Sequence, residues 1–168
     1  MGEAAEALYQ RAQRLATTYR ERNVPHILAL LEEAAALGHT EALFELAGWR
    51  HHGIGAERDA ARAAQLWERA SGAGHLEARF RLAIAFERGD GVARDAVRAF
   101  ELYESCARSG HLEALYETAR CRYYGLGTPV DRERAAEEFE RARGYGHAEA
   151  QCDAAETDGP RRMPLRRT

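Results

Sequence analysis

Lysine, paired cysteines and long apolar runs are all missing from this sequence. All 24 basic residues among its 168 are arginine, and only three residues are cysteine. An odd number of cysteines with no C-x-x-C pair argues against a disulfide framework and against a zinc knuckle. No apolar run approaches the roughly 18 residues that would span a bilayer. The chain therefore predicts neither a disulfide-stapled protein nor a membrane-spanning one.

The two ends of the chain carry different charge. The first six residues are acidic and lack the basic and apolar regions of a signal peptide, and Glu6 stands where the myristoylation motif needs Ser or Thr. We therefore expect a cytoplasmic protein. The formal net charge is −3, and the last ten residues carry four arginines and no acid, so residues 1–158 carry −7. An acidic body would repel phosphate backbones, so we expect no nucleic-acid partner. Because no apolar run could span a bilayer, we also expect no membrane partner.

A spacing of 36 residues dominates what is present. Gly-His pairs begin at positions 38, 74, 110 and 146, and Glu-Ala follows each pair two residues later. A fixed period of this length is the signature of a stacked repeat protein. Within residues 39–74, a helix-period pattern is followed by Gly53-Ile54-Gly55, the N-cap candidate Asp59 and a second helical pattern ending at Gly74. Each unit therefore predicts a helix, a glycine loop, a second helix and a tight turn.

The units at the two ends are partial. Asn23 lies 36 residues before Asp59 and has Pro25 in the turn after it, so residues 1–38 are predicted to form an N-terminal capping pair of helices. Residues 39–158 hold the repeats, and the arginine-rich residues 159–168 are predicted to be a disordered tail. The third unit departs from the pattern, with Thr118 and Glu138 where the earlier units have leucine.

This pattern resembles the Sel1-like repeat family, a relative of the tetratricopeptide repeats. The second unit supplies most of the family's positions: Ala78, Leu82, Phe86, Gly89, Gly91, Val92, Asp95, Ala99, Tyr103 and Gly110. Two departures recur, because alanine replaces the glycine after the leucine, and Arg50 and Arg122 replace a large tyrosine. The resemblance covers roughly residues 23–152. It implies an all-α fold, a right-handed α-solenoid of antiparallel helix pairs with about three full repeats plus partial capping units.

The resemblance also implies a class of function. Proteins of this family generally act as adaptors or scaffolds, and several in bacteria neutralise toxins or assemble secretion and envelope machinery. For this chain it implies a non-catalytic adaptor that binds a protein partner through its concave face and is monomeric when free. A bacterial immunity-type or assembly protein is the more specific form of this hypothesis.

No motif in the chain predicts catalysis or a cofactor. The sequence has no G-x-x-x-x-G-K-[ST], H-E-x-x-H or G-x-S-x-G, and its Gly-x-Gly triplets lack the third glycine of a nucleotide site. The repeated histidines would lie about 10 Å apart and cannot share a zinc ion, so we predict that they mark turns or helix starts. Cys106 and Cys121 are predicted to be buried structural thiols. The alternative function is a small-ligand or metal-binding module, with His51, His52 and Tyr124 lining its pocket.

The inner face of the first helix of each unit is the candidate binding surface. By analogy with tetratricopeptide geometry, fifteen residues face inward: Glu41, Phe44, Gly48, His51, His52, Glu77, Phe80, Ile84, Glu87, Arg88, Glu113, Tyr116, Arg120, Tyr123 and Tyr124. They form an acidic column, which Glu149 extends, and an aromatic column, which together favour a basic protein segment as the partner. Two alternatives stay open. The aromatic side chains could pack between repeats, and the glutamates could simply be favourable charges at helix N-termini. Tyr123 and Tyr124 have no counterpart in the other units.

Overall fold

The computed structural model describes residues 2–146, and its regular secondary structure in that range consists of α-helices. Six of the seven described helices are 13 residues long. Their starts alternate between spacings of 20 and 16 residues, which restores the 36-residue period. The helices are α1 (Gly2–Ala36), α2 (Thr40–His52), α3 (Ala60–Gly72), α4 (Leu76–Arg88), α5 (Ala96–Arg108), α6 (Leu112–Tyr124) and α7 (Arg132–Gly144).

The chain divides into two compact units, each described here by itself. Unit 1 is Met1–Asp95 and holds α1–α4, whereas unit 2 is Ala96–Thr168 and holds α5–α7. The predicted helix start at His147, the residue Glu149 and the predicted disordered tail lie outside the described residues. The predictions made for them stay predictions.

Consecutive helices pack through apolar stripes. In α2 the buried residues include Leu43, Leu46 and Ala47, and in α3 they include Leu66 and Trp67, as helical periodicity predicts. In unit 2, Tyr116 and Leu115 of α6 pack with Ala142 of α7, and Phe139 lies against this cluster. Alanine recurs at two positions of each repeat and is buried at all of them, where a small side chain lets helices pack closely: Ala47, Ala63, Ala83, Ala99, Ala119 and Ala135.

The glycine loop between two helices depends on both of its glycines. Gly89 has φ +74° and ends α4 in the left-handed conformation, which L side chains rarely adopt. Gly91 has φ +76°, and a Cβ there would lie 2.2 Å from the backbone carbonyl of Ala60 at the start of α3. The first glycine therefore ends the helix, and the second lets the loop lie directly against the preceding repeat.

The N-terminal segment differs from the predicted helix pair. Helical backbone is continuous from Gly2 to Ala36 with Pro25 inside it, so the predicted boundary at Asn23 is wrong. No glycine occurs between Gly2 and Gly38, so this segment cannot form the positive-φ loop used by the other units.

This helical segment is not straight. Over the 30 residues from Glu6 to Ala36, a straight α-helix would rise about 45 Å. His39 follows Ala36 by three residues, yet its Nε2 lies 2.8 Å from the Glu6 carboxylate. The chain must therefore bend back on itself between these points, as the predicted capping pair would.

Candidate partner-binding surfaces

Three of the repeated histidines, His39, His75 and His111, are the N-caps of α2, α4 and α6, which confirms their predicted place at helix starts. His39 and His75 also contact the preceding repeat. The backbone N–H of Ala42 donates to Nδ1 of His39 (3.2 Å), so His39 is the N-cap of α2. On its other side, Nε2 of His39 lies 2.8 Å from Glu6, and its ring stacks on Tyr9 with 4.5 Å between centroids. An imidazole nitrogen that accepts a hydrogen bond carries no proton, so we assign the proton of the neutral ring to Nε2, which donates to the carboxylate.

The same arrangement recurs one repeat later, 36 residues along the chain. His75 accepts from the Ala78 N–H (3.1 Å), its Nε2 lies 3.2 Å from Glu41, and its ring stacks on Phe44 at 4.4 Å. We call these two arrangements the histidine clamps. The second clamp holds Glu41 and Phe44, two of the predicted binding residues, in contacts that position the next helix.

The predicted aromatic column is buried or half-buried, as the alternative of packing between helices expects, and its role in binding stays a prediction. Tyr116 is only 2% exposed and packs on Phe139, with 5.4 Å between ring centroids, while Phe80 is also buried. Phe44 is half-buried in its histidine clamp. These rings face neighbouring helices because a position three residues after the first-turn glutamate lies nearer the helix–helix seam than the analogy suggested.

The solvent-facing stripe lies one residue further along each first helix. Counted from the first-turn glutamate, it takes offsets of 4, 7 and 11 residues, which follow one face of a helix. Its members are Glu41, Glu45, Gly48 and His52 on α2; Glu77, Arg81, Ile84 and Arg88 on α4; and Glu113, Glu117, Arg120 and Tyr124 on α6. Glu45, Arg81 and Glu117 were not among the predicted site residues. Their regular offsets from Glu41, Glu77 and Glu113 were the available signal.

Ion pairs occupy part of this stripe. Glu77 pairs with Arg81 at 2.9 Å, and Arg120 pairs with Glu117 at 2.5 Å. Glu113 is exposed and lies 3.5 Å from Nδ1 of His111. The predicted acidic column is thus distributed among local contacts, and its members differ in how much charge they leave uncompensated.

Uncompensated negative charge gathers in unit 1 around an open groove of about 480 Å³, which we call the acidic groove. Its lining is Gly2, Ala5, Glu6, Tyr9, Leu37, Gly38, His39, Thr40 and Glu41. Beside it, Glu45 accepts hydrogen bonds from the Tyr9 hydroxyl (2.9 Å) and from Gln13 (2.5 Å). Burial and the bond to Glu45 raise the pKa of Tyr9 to about 12, and hydrogen bonds from His39 and Gln10 lower that of Glu6.

The predicted pair His51 and His52 lies elsewhere in unit 1. Their rings meet edge to face at 4.7 Å, and the His51 ring also lies 5.3 Å from that of Trp67. Nδ1 of His51 is 3.5 Å from Asp90, too long for a well-formed hydrogen bond. Burial lowers the pKa of His51, and Asp90 opposes that shift.

Within residues 2–146, no three His, Cys, Asp or Glu side chains are grouped so that they could hold a metal ion.

An arginine latch connects the loops of unit 1 near this histidine. Nε of Arg58 donates to the backbone carbonyl of His51 (3.0 Å), and its guanidinium donates to both oxygens of Asp90 (2.7 and 2.9 Å). Arg94, 36 residues later, donates in the same way to the carbonyl of Glu87 (2.9 Å). The third unit has Val130 at this position, so the latch ends there.

Aromatic and apolar side chains replace charged ones at the end of α6 in unit 2. Tyr123 and Tyr124 meet edge to face at 4.9 Å, and the guanidinium of Arg132 lies 5.4 Å above the Tyr123 ring. Tyr124 is 41% exposed and Val130 is 58% exposed. We call these four residues the tyrosine cluster.

Two departures from the repeat pattern, Arg122 and Glu138, meet in a buried ion pair. Arg122 is 4% exposed and donates to both carboxylate oxygens of Glu138 (2.9 and 3.0 Å) and to Glu104 (2.5 Å), while its guanidinium lies 5.0 Å from the Phe100 ring centroid. Burial raises the pKa of Glu138, and Arg122 opposes that shift. At the equivalent position, Arg50 is half-buried and pairs with Glu32.

The fold and these surfaces define an all-α protein built from repeated helix pairs. The Sel1 repeat family model matches residues 40–75, 76–111 and 112–142. The chain belongs to the Sel1 repeat family, which confirms both the resemblance and the all-α solenoid class. Sel1 repeats are generally non-enzymatic modules for protein–protein interaction. None of the helices described in residues 2–146 is both long and apolar enough to cross a bilayer.

Three solved structures are similar to this chain. The Sel1 repeat protein from Oxalobacter formigenes is 25% identical, with a TM-score of 0.73, over 87% of this chain and 59% of its own. The protein c5321, a protective antigen of uropathogenic Escherichia coli with an SLR fold, is 24% identical with a TM-score of 0.79, over 88% and 33%. Helicobacter pylori cysteine rich protein B is 18% identical with a TM-score of 0.55, over 68% and 94%.

The likeness to the last two structures shows the fold alone, because the identities are low. This chain spans less than two thirds of the length of the Oxalobacter and Escherichia coli proteins. A comparison with curated proteins finds no match.

Proposed function

We propose that this protein is a non-catalytic adaptor that binds a basic segment of a protein partner through the solvent-facing stripe of α2 and α4 in unit 1. The observation that carries the proposal is the acidic groove of unit 1. Sel1 repeats are generally interaction modules, and this groove supplies a charge that a particular partner would complement.

Among the described residues, the carboxylates of Glu41 and Glu45 have no arginine partner. Glu45 accepts hydrogen bonds from the uncharged side chains of Tyr9 and Gln13, and Glu41 accepts from the neutral imidazole of His75. An arginine or lysine side chain of a partner would gain a charged partner there, while its aliphatic stem would pack on the apolar lining.

A matched pair of peptides tests the proposal. One acetylated and amidated peptide carries two arginines, and the other carries two glutamines at the same positions. We expect the arginine peptide to bind more tightly by fluorescence anisotropy, and Glu41→Gln with Glu45→Gln to weaken it by more than tenfold. Glu101→Gln, an exposed site on α5, is the control that should bind as the parent does. Equal binding of the two peptides, or no loss in the double variant, would contradict the proposal.

An immunity-type protein that blocks a toxin is the narrower form of this function. It predicts a toxin gene beside this one and a cationic segment on the encoded toxin. A genome neighbourhood without such a gene would remove this form and leave the broader adaptor function standing.

A further inference from the structure

The third repeat replaces charged and polar side chains with aromatic and apolar ones at one surface. Where the first repeat has His51, His52 and Arg58, and the second has Glu87, Arg88 and Arg94, the third has Tyr123, Tyr124 and Val130. Asp90, which accepts hydrogen bonds from the Arg58 guanidinium, aligns with Leu126 of the third repeat. Three aligned positions therefore change together to aromatic or apolar side chains in the third repeat, while at the fourth the first repeat already has Ile54.

Packing does not account for this change. The Tyr124 side chain is 41% exposed and that of Val130 is 58% exposed, so both present apolar area to solvent rather than filling the unit 2 core. The core at this end is built from other residues, Leu115, Tyr116 and Ala142. Tyrosine is enriched at protein interfaces because its ring is rigid and apolar while its hydroxyl still bonds to water or to a partner.

Arg132 adds a cation to this apolar surface. Its guanidinium lies 5.4 Å above the Tyr123 ring, an arrangement that holds the side chain by cation–π attraction. Among the described residues no carboxylate pairs with Arg132. The neighbouring Asp131 carboxylate instead accepts from the Arg134 backbone N–H (3.0 Å) as the N-cap of α7. The N–H edge of a guanidinium stacked in this way suits a carboxylate that binds with both oxygens.

We propose that the tyrosine cluster is a second docking surface, which binds a peptide segment carrying an Asp or Glu beside a bulky apolar residue. The carboxylate pairs with Arg132, and the apolar side chain packs on Tyr124 and Val130. This preference is opposite in charge to that of the acidic groove. The surface does not depend on the proposed function of unit 1, and each can fail without the other.

Selection from a random peptide library displayed on phage, with the whole chain as target, tests this surface. We expect enriched peptides that place Asp or Glu next to Leu, Phe or Trp. The best of them, made synthetically, should lose more than tenfold in affinity for Tyr124→Ser. It should lose a similar factor for Arg132→Gln, and its amide counterpart with Asn or Gln should bind equally weakly to the parent chain.

Matched controls separate this result from damage to the fold. Tyr145→Ser removes an even more exposed tyrosine, and Arg62→Gln removes an exposed arginine of α3; both should bind the peptide as the parent chain does. Circular dichroism should show equal helix content in all four variants. Enrichment of basic peptides alone, failure to enrich any peptide, or unchanged affinity in Tyr124→Ser and Arg132→Gln would overturn the proposal. Glu41→Gln should leave this peptide's affinity unchanged and so keeps the two surfaces distinguishable.

Discussion

Helix α4 of unit 1 and helix α6 of unit 2 place an aromatic and a charged residue at the same two positions in opposite ways. In α4 of unit 1, Phe86 is buried and Arg88 faces solvent. In α6 of unit 2, Arg122 is buried and Tyr124 is exposed. The two pairs align at a spacing of 36 residues. The fold accepts either arrangement because the buried arginine is accompanied by a buried carboxylate, Glu138, at a position where the first two repeats have leucine.

The comparison of α4 with α6 distinguishes two kinds of position in the repeat. Shared positions build the repeat, as the histidine clamps and the loop glycines do. Positions that differ between the units give each a surface of its own. In unit 1 this surface is the acidic groove, and in unit 2 it is the tyrosine cluster. Experiments that change one kind of position and leave the other intact can break or sharpen this distinction.

The largest expected effect follows from breaking the buried ion pair of unit 2. Glu138→Leu restores the leucine of the first two repeats but deprives the buried Arg122 of its main partner. Removal of one member of a buried pair destabilises a protein by about 3–5 kcal/mol. Because Glu104 still pairs with Arg122, urea denaturation should show a loss at the lower end of this range.

The double variant Arg122→Phe with Glu138→Leu is the matched control, because it gives the third repeat the side chains that Phe86 and Leu102 supply in the second repeat. We expect it to recover most of the lost stability. If Glu138→Leu alone were as stable as the parent chain, Glu138 would not be needed to stabilise the buried arginine at position 122.

The shared glycines should give the next largest effect, and equally in both units. A Cβ at Gly91 would lie 2.2 Å from the Ala60 carbonyl, and one at Gly127 would lie 2.0 Å from the Ala96 carbonyl oxygen. Each alanine substitution should destabilise the protein by more than about 2 kcal/mol, since the left-handed backbone is also strained. Gly48→Ala, in a helix with open space around it, should gain about 0.5–1 kcal/mol. Neutral Gly91→Ala or Gly127→Ala would contradict a shared structural role.

The histidine clamps should contribute less. His75→Ala removes the N-cap of α4 together with the contacts to Glu41 and Phe44, and an N-cap alone contributes about 1 kcal/mol. His75→Asn can still accept from the Ala78 N–H, so its stability in urea should fall between that of His75→Ala and the parent chain. Equal losses in the two variants would mean that the cap contributes nothing measurable.

The smallest effect concerns acid sensitivity in unit 1. Burial lowers the pKa of folded His51 below its ordinary value of 6.5, so the unfolded chain binds the proton more readily. This group therefore favours folding above that pH, and its contribution is lost as the pH falls below it. His51→Gln should lose less stability between pH 7 and pH 5.5 than the parent chain, by well under about 1 kcal/mol. An identical loss in both proteins would show that His51 stays equally protonated in the folded and unfolded chains.

Periodicity in the sequence predicts much of this architecture, because helix pairs, caps and glycine loops are local features that repeat. The N-caps Asp59 and Asp131 and the buried thiols Cys106 and Cys121 are where the repeat predicts them. The bend in α1 was predicted as a helix boundary, since a proline and a missing glycine do not determine how a helical segment turns.

The candidate surface was harder to predict. A rotation of one residue on each first helix separates the buried aromatic column from the solvent-facing stripe, and sequence periodicity does not resolve that difference. Arg122 and Glu138 lie on different helices, 16 residues apart. Each departs from the repeat, and only their contact shows that the two departures compensate. The exposure of Tyr124 agrees with its prediction as a specific binding residue, although binding itself stays a prediction.

The most direct test gives unit 2 the side-chain arrangement of unit 1. The triple variant Arg122→Phe, Tyr124→Arg and Glu138→Leu keeps every shared position and exchanges only the differing ones. The measurement is its affinity for the acidic peptide selected on the parent chain, with the fold checked by circular dichroism. The account predicts a folded protein that binds this peptide more than tenfold more weakly. A folded variant with unchanged affinity would contradict the claim that the differing positions form the binding surface.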